Sequence, residues 1–374
     1  MGRIGRLPAD LANQIAAGEV VERPASIVKE LVENAIDAAA RRIAVTLEYG
    51  GKRLVRVEDD GIGMDAEDAR LSLERHATSK IRRPEDLAAI ATLGFRGEAL
   101  PSIASVSRFT LRTRSRGELA GTEIRVHAGT MASVTETGTP EGTRIDVEEL
   151  FYNLPARRKF LKSDQAETAH ASRTLTQLSL AVPSVGFTLT SGGRRLLDVP
   201  PVAGVAERLY QLYGEPEDLV RVEKEAAGIR ITGYIARLAE QGPRRGPQNI
   251  FINGRIIKDR TIAHAIIDAY SVASIKERSP EVHLFIEMPL DAVDVNVHPT
   301  KAEVRFREGS LVHEIVRRAI GDALGRGPAP ALTLTPPDIA QVAPGQSLLP
   351  GVVGGGFVHN RWMPPASGFG LPAS

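Results

Sequence analysis

The 374-residue chain contains no cysteine. Disulfides, thiolate zinc sites and a cysteine nucleophile are thereby excluded, and nothing in it depends on an oxidising compartment. Aromatic residues supply only 5% of the chain, and none interleaves with basic clusters as a base-stacking platform would. Net charge is +1, so any attraction to nucleic acid has to come from local basic patches. No run approaches the roughly 20 apolar residues that span a bilayer, and the opening MGRIGRLPADLANQIAAGEV lacks an apolar core of signal-peptide length. The expectation is a soluble, cytoplasmic protein with no membrane contact. A GxxxxGK(S/T) phosphate loop is missing, as is the third glycine of a dinucleotide fingerprint. Along the sequence, none of the eight histidines has a partner at zinc-site spacing, His298 included.

What is present is enough apolar material, 42%, for two or three compact domains. From Gly327 to Ser374, Pro and Gly supply 17 of 48 residues, and Asp338 and Arg361 are the only charged ones. That share exceeds the roughly 25–30% typical of low-complexity chain, which predicts a flexible tail or linker. Pro183 and Pro200-Pro201 suggest a boundary near residue 200. The expected domains are therefore 1–205, 206–326 and the tail 327–374.

Three local patterns carry chemistry. In KELVENAIDA, Glu30, Glu33, Asn34 and Asp37 fall at i, i+3, i+4 and i+7, on one helical face. Ile27, Val28, Leu31, Val32, Ala35 and Ile36 form the opposite, apolar stripe. A solvated face is the ordinary reading of such a stripe, but no Lys or Arg follows Glu30 or Glu33 at pairing distance, and Asn34 is a weak helix former. A hairpin comes next: Ile43, Val45 and Leu47 alternate, Gly50-Gly51 turns, and Leu54, Val55 and Val57 lead into EDDGIGMD. A helix followed by antiparallel strands predicts an α+β layer sandwich. After Asp59, Gly61 and Gly63 allow crowded or left-handed backbone, suited to a flat ligand against main chain with a carboxylate accepting from its amino group. The third pattern is RHATSKI, with Ser79 and Lys80, followed by LGFRGEALPSIASVS. There Gly94 and Gly97 bracket Phe95-Arg96, and Glu98, Ala99 and Leu100 open a helix, a ready place for an anion.

In this order, the three patterns resemble the nucleotide site of the GHKL (Bergerat) ATPases: gyrase, heat-shock chaperones, histidine kinases and MutL proteins. The sequence is most similar to the MutL family of DNA mismatch repair proteins. LANQIAAGEVVERPASIVKELVENAIDA, DDGIGM, RHATSKI, LGFRGEAL, GTRIDVEELFYNLPARRKFLK, FINGR and VDVNVHPTKAEVRF match literally over roughly residues 7 to 308. The resemblance implies a two-layer α/β sandwich followed by a smaller α/β domain of the ribosomal-protein-like transducer type, and a slow ATPase that uses ATP and Mg2+. It makes Glu30 the general base and Asn34 the metal ligand. Asp59 becomes the adenine reader, with Thr143 its neighbour and Gly61, Gly63 and Met64 around the base. Ser79, Lys80 and residues Gly94 to Leu100 become the phosphate-side lid. Lys301, a solvated loop lysine on pattern alone, becomes the γ-phosphate contact from the second domain. No role for Glu33 or Asp37 follows.

The resemblance also implies DNA as a partner, bound through its backbone without sequence preference. Arg260 is the first candidate, with Arg255, Lys258 and Lys159 behind it among basic positions that include Arg157, Arg158, Lys162, Arg244 and Arg245. Further implied partners are a mismatch-recognition protein, a downstream nuclease or helicase, and a second copy of the chain on ATP binding, through the segment Leu7 to Glu22. Acting on DNA would place the protein at the nucleoid. Three positions depart from the family pattern: Pro101 in the helix after the lid, Ala39 in place of a common Gly, and Asp60 in place of a common Asn near the base pocket. Nothing after Gly327 resembles the family's dimerisation domain, so no nicking activity is expected of these residues. A topoisomerase-type ATPase subunit should lack LFYNLPARRKFL and FINGR. A non-hydrolysing DNA-binding scaffold need not retain Glu30, Asn34, Asp59 and Lys301.

Overall fold

The computed structural model describes residues 18, 20–80, 94, 97–214, 218–238, 246–270, 280–294 and 304–325. Residues 328–374 separate as a unit of their own and lie, with the expected tail, outside the described residues. Within 1–327, the first layer is a sheet of β1 (Arg42–Glu48), β2 (Leu54–Asp59), β3 (Arg108–Arg114), β4 (Gly121–His127), β5 (Thr130–Thr137), β6 (Gly142–Glu148), β7 (Gly186–Ser191) and β8 (Arg194–Val199). Its order is β5-β4-β3-β6-β2-β1-β7-β8. Every neighbouring pair is antiparallel except β1 and β7. The predicted hairpin is present, with Val45 opposite Val57.

Helix α1 (Pro24–Asp37) covers this sheet, with Pro24 in its first turn, where a missing N–H costs little. Ile27, Val28, Leu31, Val32 and Ala35 join Val45, Val57, Leu111 and Val147 of the sheet in one core. Beside it runs α5 (Asp164–Ala181), capped by the Ser163 hydroxyl and seated by Ala171, Leu175 and Leu178. Shorter helices are α2 (Ala66–Leu71), α3 (Ala99–Ser105) and α4 (Pro155–Phe160). Pro101 lies in the first turn of α3, where it fits. Ala39, just past α1, adopts φ +56°. That left-handed conformation costs an alanine about 1 kcal/mol relative to glycine.

The second layer system is a sheet of β9 (Leu219–Ala226), β10 (Ile229–Ala236), β11 (Gln248–Ile252), β12 (Arg255–Ile257) and β13 (Val282–Glu287), ordered β12-β11-β13-β10-β9. Helices α7 (Arg260–Tyr270) and α8 (Gly309–Ala323) share a core with it through Ile262, Ala265, Ile266, Val312, Ile315 and Val316. Val293–Asp294 pairs antiparallel with Arg305–Phe306 as a separate two-stranded ribbon. Among the described residues, no helix is long and apolar enough to cross a membrane.

The seam near residue 200 is tightly knit. Helix α6 (Val205–Tyr213) carries a fully buried Arg208, whose guanidinium donates to the carbonyls of Val199 at 3.2 Å and of Pro183 and Val185 at 2.7 Å each. Burial without a carboxylate partner pushes its pKa down to about 10. Leu180 of α5, Leu209 of α6 and Phe251 of β11 form a small separate core. Polar contacts continue the connection. Gln177 donates to Asn249 at 3.2 Å, Asn249 meets His283 Nδ1 at 3.0 Å, and His283 Nε2 meets Glu281 at 3.1 Å. The proline-marked region is therefore packed backbone between two sheets, which its composition did not reveal.

Candidate functional site

The polar face of α1 does two jobs. Lys29 lies 2.7 Å from Glu33 and 3.5 Å from Glu30. Burial works to lower its pKa, but Glu33 and Glu30 outweigh that and hold it above the ordinary value. A lasting ammonium thus stands beside Glu30, and the buried Glu33 serves as its counter-ion. The i to i+4 support missing after Glu33 is supplied one turn before it.

Further along the same face, the Lys80 ammonium donates to Asn34 Oδ1 at 3.0 Å and to Asp37 Oδ2 at 2.5 Å. The Gly94 amide also donates to Asp37 Oδ2, at 3.2 Å. RHATSKI and the start of LGFRGEAL are both tied to the last turn of α1 by one carboxylate. They are also tied to each other: the His76 amide donates to Gly97 O at 3.2 Å, and a Cβ on Gly97, at φ +62°, would come 2.4 Å from Ala77 O. Ser79 is exposed, while Glu98, Ala99 and Leu100 are half-buried at the start of α3. That helix has only seven residues, so an anion there would be held by free N–H groups more than by a helix dipole. Phe95 and Arg96 lie outside the described residues. We predict that Asp37→Ala, which removes the carboxylate shared by Lys80 and the Gly94 amide, weakens nucleotide binding about tenfold, the scale of one charge-assisted hydrogen bond. An unchanged dissociation constant in a nucleotide titration would refute this.

At the end of β2 sits Asp59. Its Oδ1 accepts from the Gly61 amide at 2.9 Å. Burial drives its pKa up to about 6, against the opposing pull of the Gly61 and Thr143 amides. Thr143 is its cross-strand partner on β6. Thr143 Oγ1 lies 3.1 Å from Thr113 Oγ1 of β3, and Thr113 in turn accepts from the Met64 amide at 2.9 Å. Sequence reasoning missed Thr113, which links two of the predicted residues, Thr143 and Met64, beside Asp59. Gly63 has a reason within the chain itself: at φ +67°, its Cβ would overlap the Arg114 carbonyl at 2.0 Å. A Cβ on Gly61 would come 2.7 Å from Ala38 O. Asp60, for its part, accepts from the amides of Arg41 and Arg42 at 2.7 and 2.8 Å and from the Arg42 side chain. Its charge is spent on the entry to β1. Cavities of about 390 and 400 Å³ adjoin Asp59, and neither is lined by Glu30 or Asn34.

The basic candidates divide. Lys258, between β12 and α7, and Arg260, the first residue of α7, are exposed, as is Lys159 on α4. Arg255 is half-buried and stands within electrostatic reach of Glu33, Asp37 and Glu30, which partly offset the lowering of its pKa by burial. Arg157 lies against Gly18, where any Cβ would collide with its guanidinium. Lys301, Arg244, Arg245 and most of Leu7 to Glu22 lie outside the described residues.

The chain is similar to known proteins in sequence and in fold. The family described as histidine kinase-, DNA gyrase B- and HSP90-like ATPase matches residues 22–149, and that described as DNA mismatch repair protein, C-terminal domain, matches residues 210–325. The DNA mismatch repair protein MutL of Syntrophotalea carbinolica is 51% identical over 335 residues, covering 88% of this chain and 53% of that protein. Its counterpart in Koribacter versatilis is 46% identical over 356 residues, covering 87% and 55%. The chain thus spans about half the length of these curated relatives. Among solved structures, the Aquifex aeolicus MutL ATPase domain complexed with ADP is 30% identical with a TM-score of 0.56, covering 79% of this chain and 98% of that one. The N-terminal domain of a DNA repair protein, at 24% identity and a TM-score of 0.72 over 84% of this chain and 98% of that one, shares the fold.

Proposed function

The chain belongs to the MutL family of DNA mismatch repair proteins, and from that premise we propose that it is an ATP-driven switch whose hydrolysis centre is the polar face of α1. One observation supports this most: Glu30, free of the lid contacts, shares its face with Asn34 and Asp37, whose oxygens jointly hold a cation, the Lys80 ammonium. Mg2+ suits the same oxygens, Asn34 Oδ1 first. When bound, the ion would offset triphosphate charge. Lys80 would then turn from Asn34 toward the phosphates. Glu30 would accept the proton of the attacking water, with Lys29 fixing its carboxylate. Asp59 would accept from the adenine amino group, Thr143 completing that wall with Gly61, Gly63 and Met64. Gly94, Phe95, Arg96, Gly97, Glu98, Ala99, Leu100 and Ser79 would close over the phosphates, and Lys301 would read the γ-phosphate from the second domain.

In this reading the ATPase domain is 1–205, the transducer domain 206–326 and the linker 327–374. The contacts of Arg208 and of the Gln177–Asn249–His283 chain favour coupling, since a change at α5 cannot leave the second sheet undisturbed. ATP binding would bring two copies together through the N-terminal segment and hydrolysis would release them. DNA, a mismatch-recognition protein and a downstream nuclease or helicase would be the partners, in the cytoplasm and at the nucleoid. The proposal assigns no nicking step to these residues. Phosphate release with and without DNA and Mg2+ tests it: no magnesium-dependent release above background would sink it.

For DNA, Arg260 with Lys258 and Lys159 would meet phosphates, and Arg255 would sit nearer the nucleotide. We predict that Arg260→Glu lowers DNA affinity by at least about threefold at low salt, as loss and reversal of one phosphate contact requires, and leaves DNA-free hydrolysis as it was. An identical binding isotherm would remove Arg260 from the interface.

A further inference from the structure

The second domain brings together two histidines that stand 49 positions apart in sequence. His264 and Asp268, at i and i+4 on α7, face His313 on α8. His264 Nδ1 lies 3.3 Å from His313 Nε2, and each of these nitrogens lies 3.2 Å from Asp268 Oδ2. The three atoms form a nearly equilateral triangle.

Hydrogen bonding alone does not account for that triangle. Each imidazole nitrogen carries at most one proton, and an ionised carboxylate has none. If both nitrogens donate to Asp268, two N–H groups confront each other across the third side. If one nitrogen donates to the other, a carboxylate contact is left without its proton. No placement satisfies all three sides at once. A central cation does, because it accepts one lone pair from each atom. The dimensions agree: bonds of about 2.0 Å at tetrahedral angles separate neighbouring ligands by about 3.3 Å.

We propose that His264, Asp268 and His313 form a divalent transition-metal site of the zinc class that fastens α7 to α8. Two imidazoles and one carboxylate favour zinc, cobalt or nickel over magnesium, which prefers oxygen ligands. The side chain of His264 is 69% exposed and that of His313 25%, so a fourth position would open to solvent and take water. Arg317, one turn beyond His313, feels Asp268 but is paired with Glu314 at 2.8 Å, which limits its competition for the carboxylate.

Titration of the metal-free chain with Zn2+ by calorimetry, and with Co2+ by visible absorption, tests it. We expect about one equivalent bound at micromolar or lower Kd, the strong visible bands of tetrahedral Co2+, and a melting temperature about 5 °C higher at a hundredfold excess over Kd. His264→Ala, a change at an exposed side chain that should leave the fold intact in chelator, is expected to weaken binding at least about tenfold and remove the thermal shift, and His313→Ala to do the same. Absence of zinc binding at about 100 µM, or variants that bind as the parent chain does, would overturn the site.

Discussion

Replacing Glu30 by alanine is expected to leave ATP bound and to reduce its hydrolysis by about 10²- to 10⁴-fold, the range supplied by a positioned general base. The separation of effects follows from the contacts. Glu30 makes its near contact with Lys29, 3.5 Å away, whereas Lys80 and Gly94 are anchored by Asn34 and Asp37. Truncating Glu30 therefore leaves the lid's attachment to α1 in place. Lys29 keeps Glu33 as its partner at 2.7 Å, so no buried charge is stranded and α1 should stay folded. Equilibrium ATP binding and single-turnover phosphate release, run on the same preparation, separate the two functions. Turnover within about threefold of the parent chain would take Glu30 out of the base role. Loss of binding together with turnover would instead mean that the residue holds the ligand.

The elements that follow local rules were legible in the sequence. The stripe Ile27, Val28, Leu31, Val32 and Ala35 is the buried face of α1, and the alternation of Ile43, Val45 and Leu47 is the buried face of β1. Both are periodicities within one element. The resemblance makes Thr143 the neighbour of Asp59, and the cross-strand register of β2 and β6 supplies the physical reason. What stayed hidden depends on partners distant in sequence. Asp37 gets its role from Lys80 and Gly94, 43 and 57 positions away. Thr113 is an ordinary strand residue until β6 and the turn at Met64 close around it. Gly63 points the same way: its reason is the Arg114 backbone, and a motif reading would assign that glycine to ligand access. Arg255 and Arg260 belong to one basic stretch of sequence, yet only Arg260 is exposed. Charge along a chain gives no depth.

Asp59→Asn is expected to stabilise the nucleotide-free protein at pH 8 while nearly eliminating nucleotide binding. Burial raises the folded-state pKa of Asp59 to about 6 from its ordinary 3.8. The sign then follows: below pH 4 the group is protonated in both states and costs nothing, between 4 and 6 the unfolded chain ionises first, and above 6 the folded protein holds a buried charge. A rise from 3.8 to about 6 corresponds to a penalty of order 1–3 kcal/mol that is fully developed at pH 8. Asparagine removes the charge and can still accept from the Gly61 amide, so the variant should melt several degrees higher at pH 8 and within about a degree of the parent at pH 4. The same change costs function. An adenine amino group meeting a carboxylate forms a charge-assisted bond, roughly twice as strong as a neutral one. The asparagine amide offers N–H groups that can face that donor unfavourably, and a loss of about 100-fold in affinity is expected. Acidification should mimic the variant, with nucleotide affinity of the parent chain declining as pH falls through about 6. Phosphates titrate in that range as well, which makes the asparagine form the necessary control. Melting curves at pH 4 and pH 8, with and without nucleotide, decide the matter. A variant no more stable than its parent at pH 8, and still shifted upward by ATP, would show that Asp59 is neither the strained charge nor the base reader.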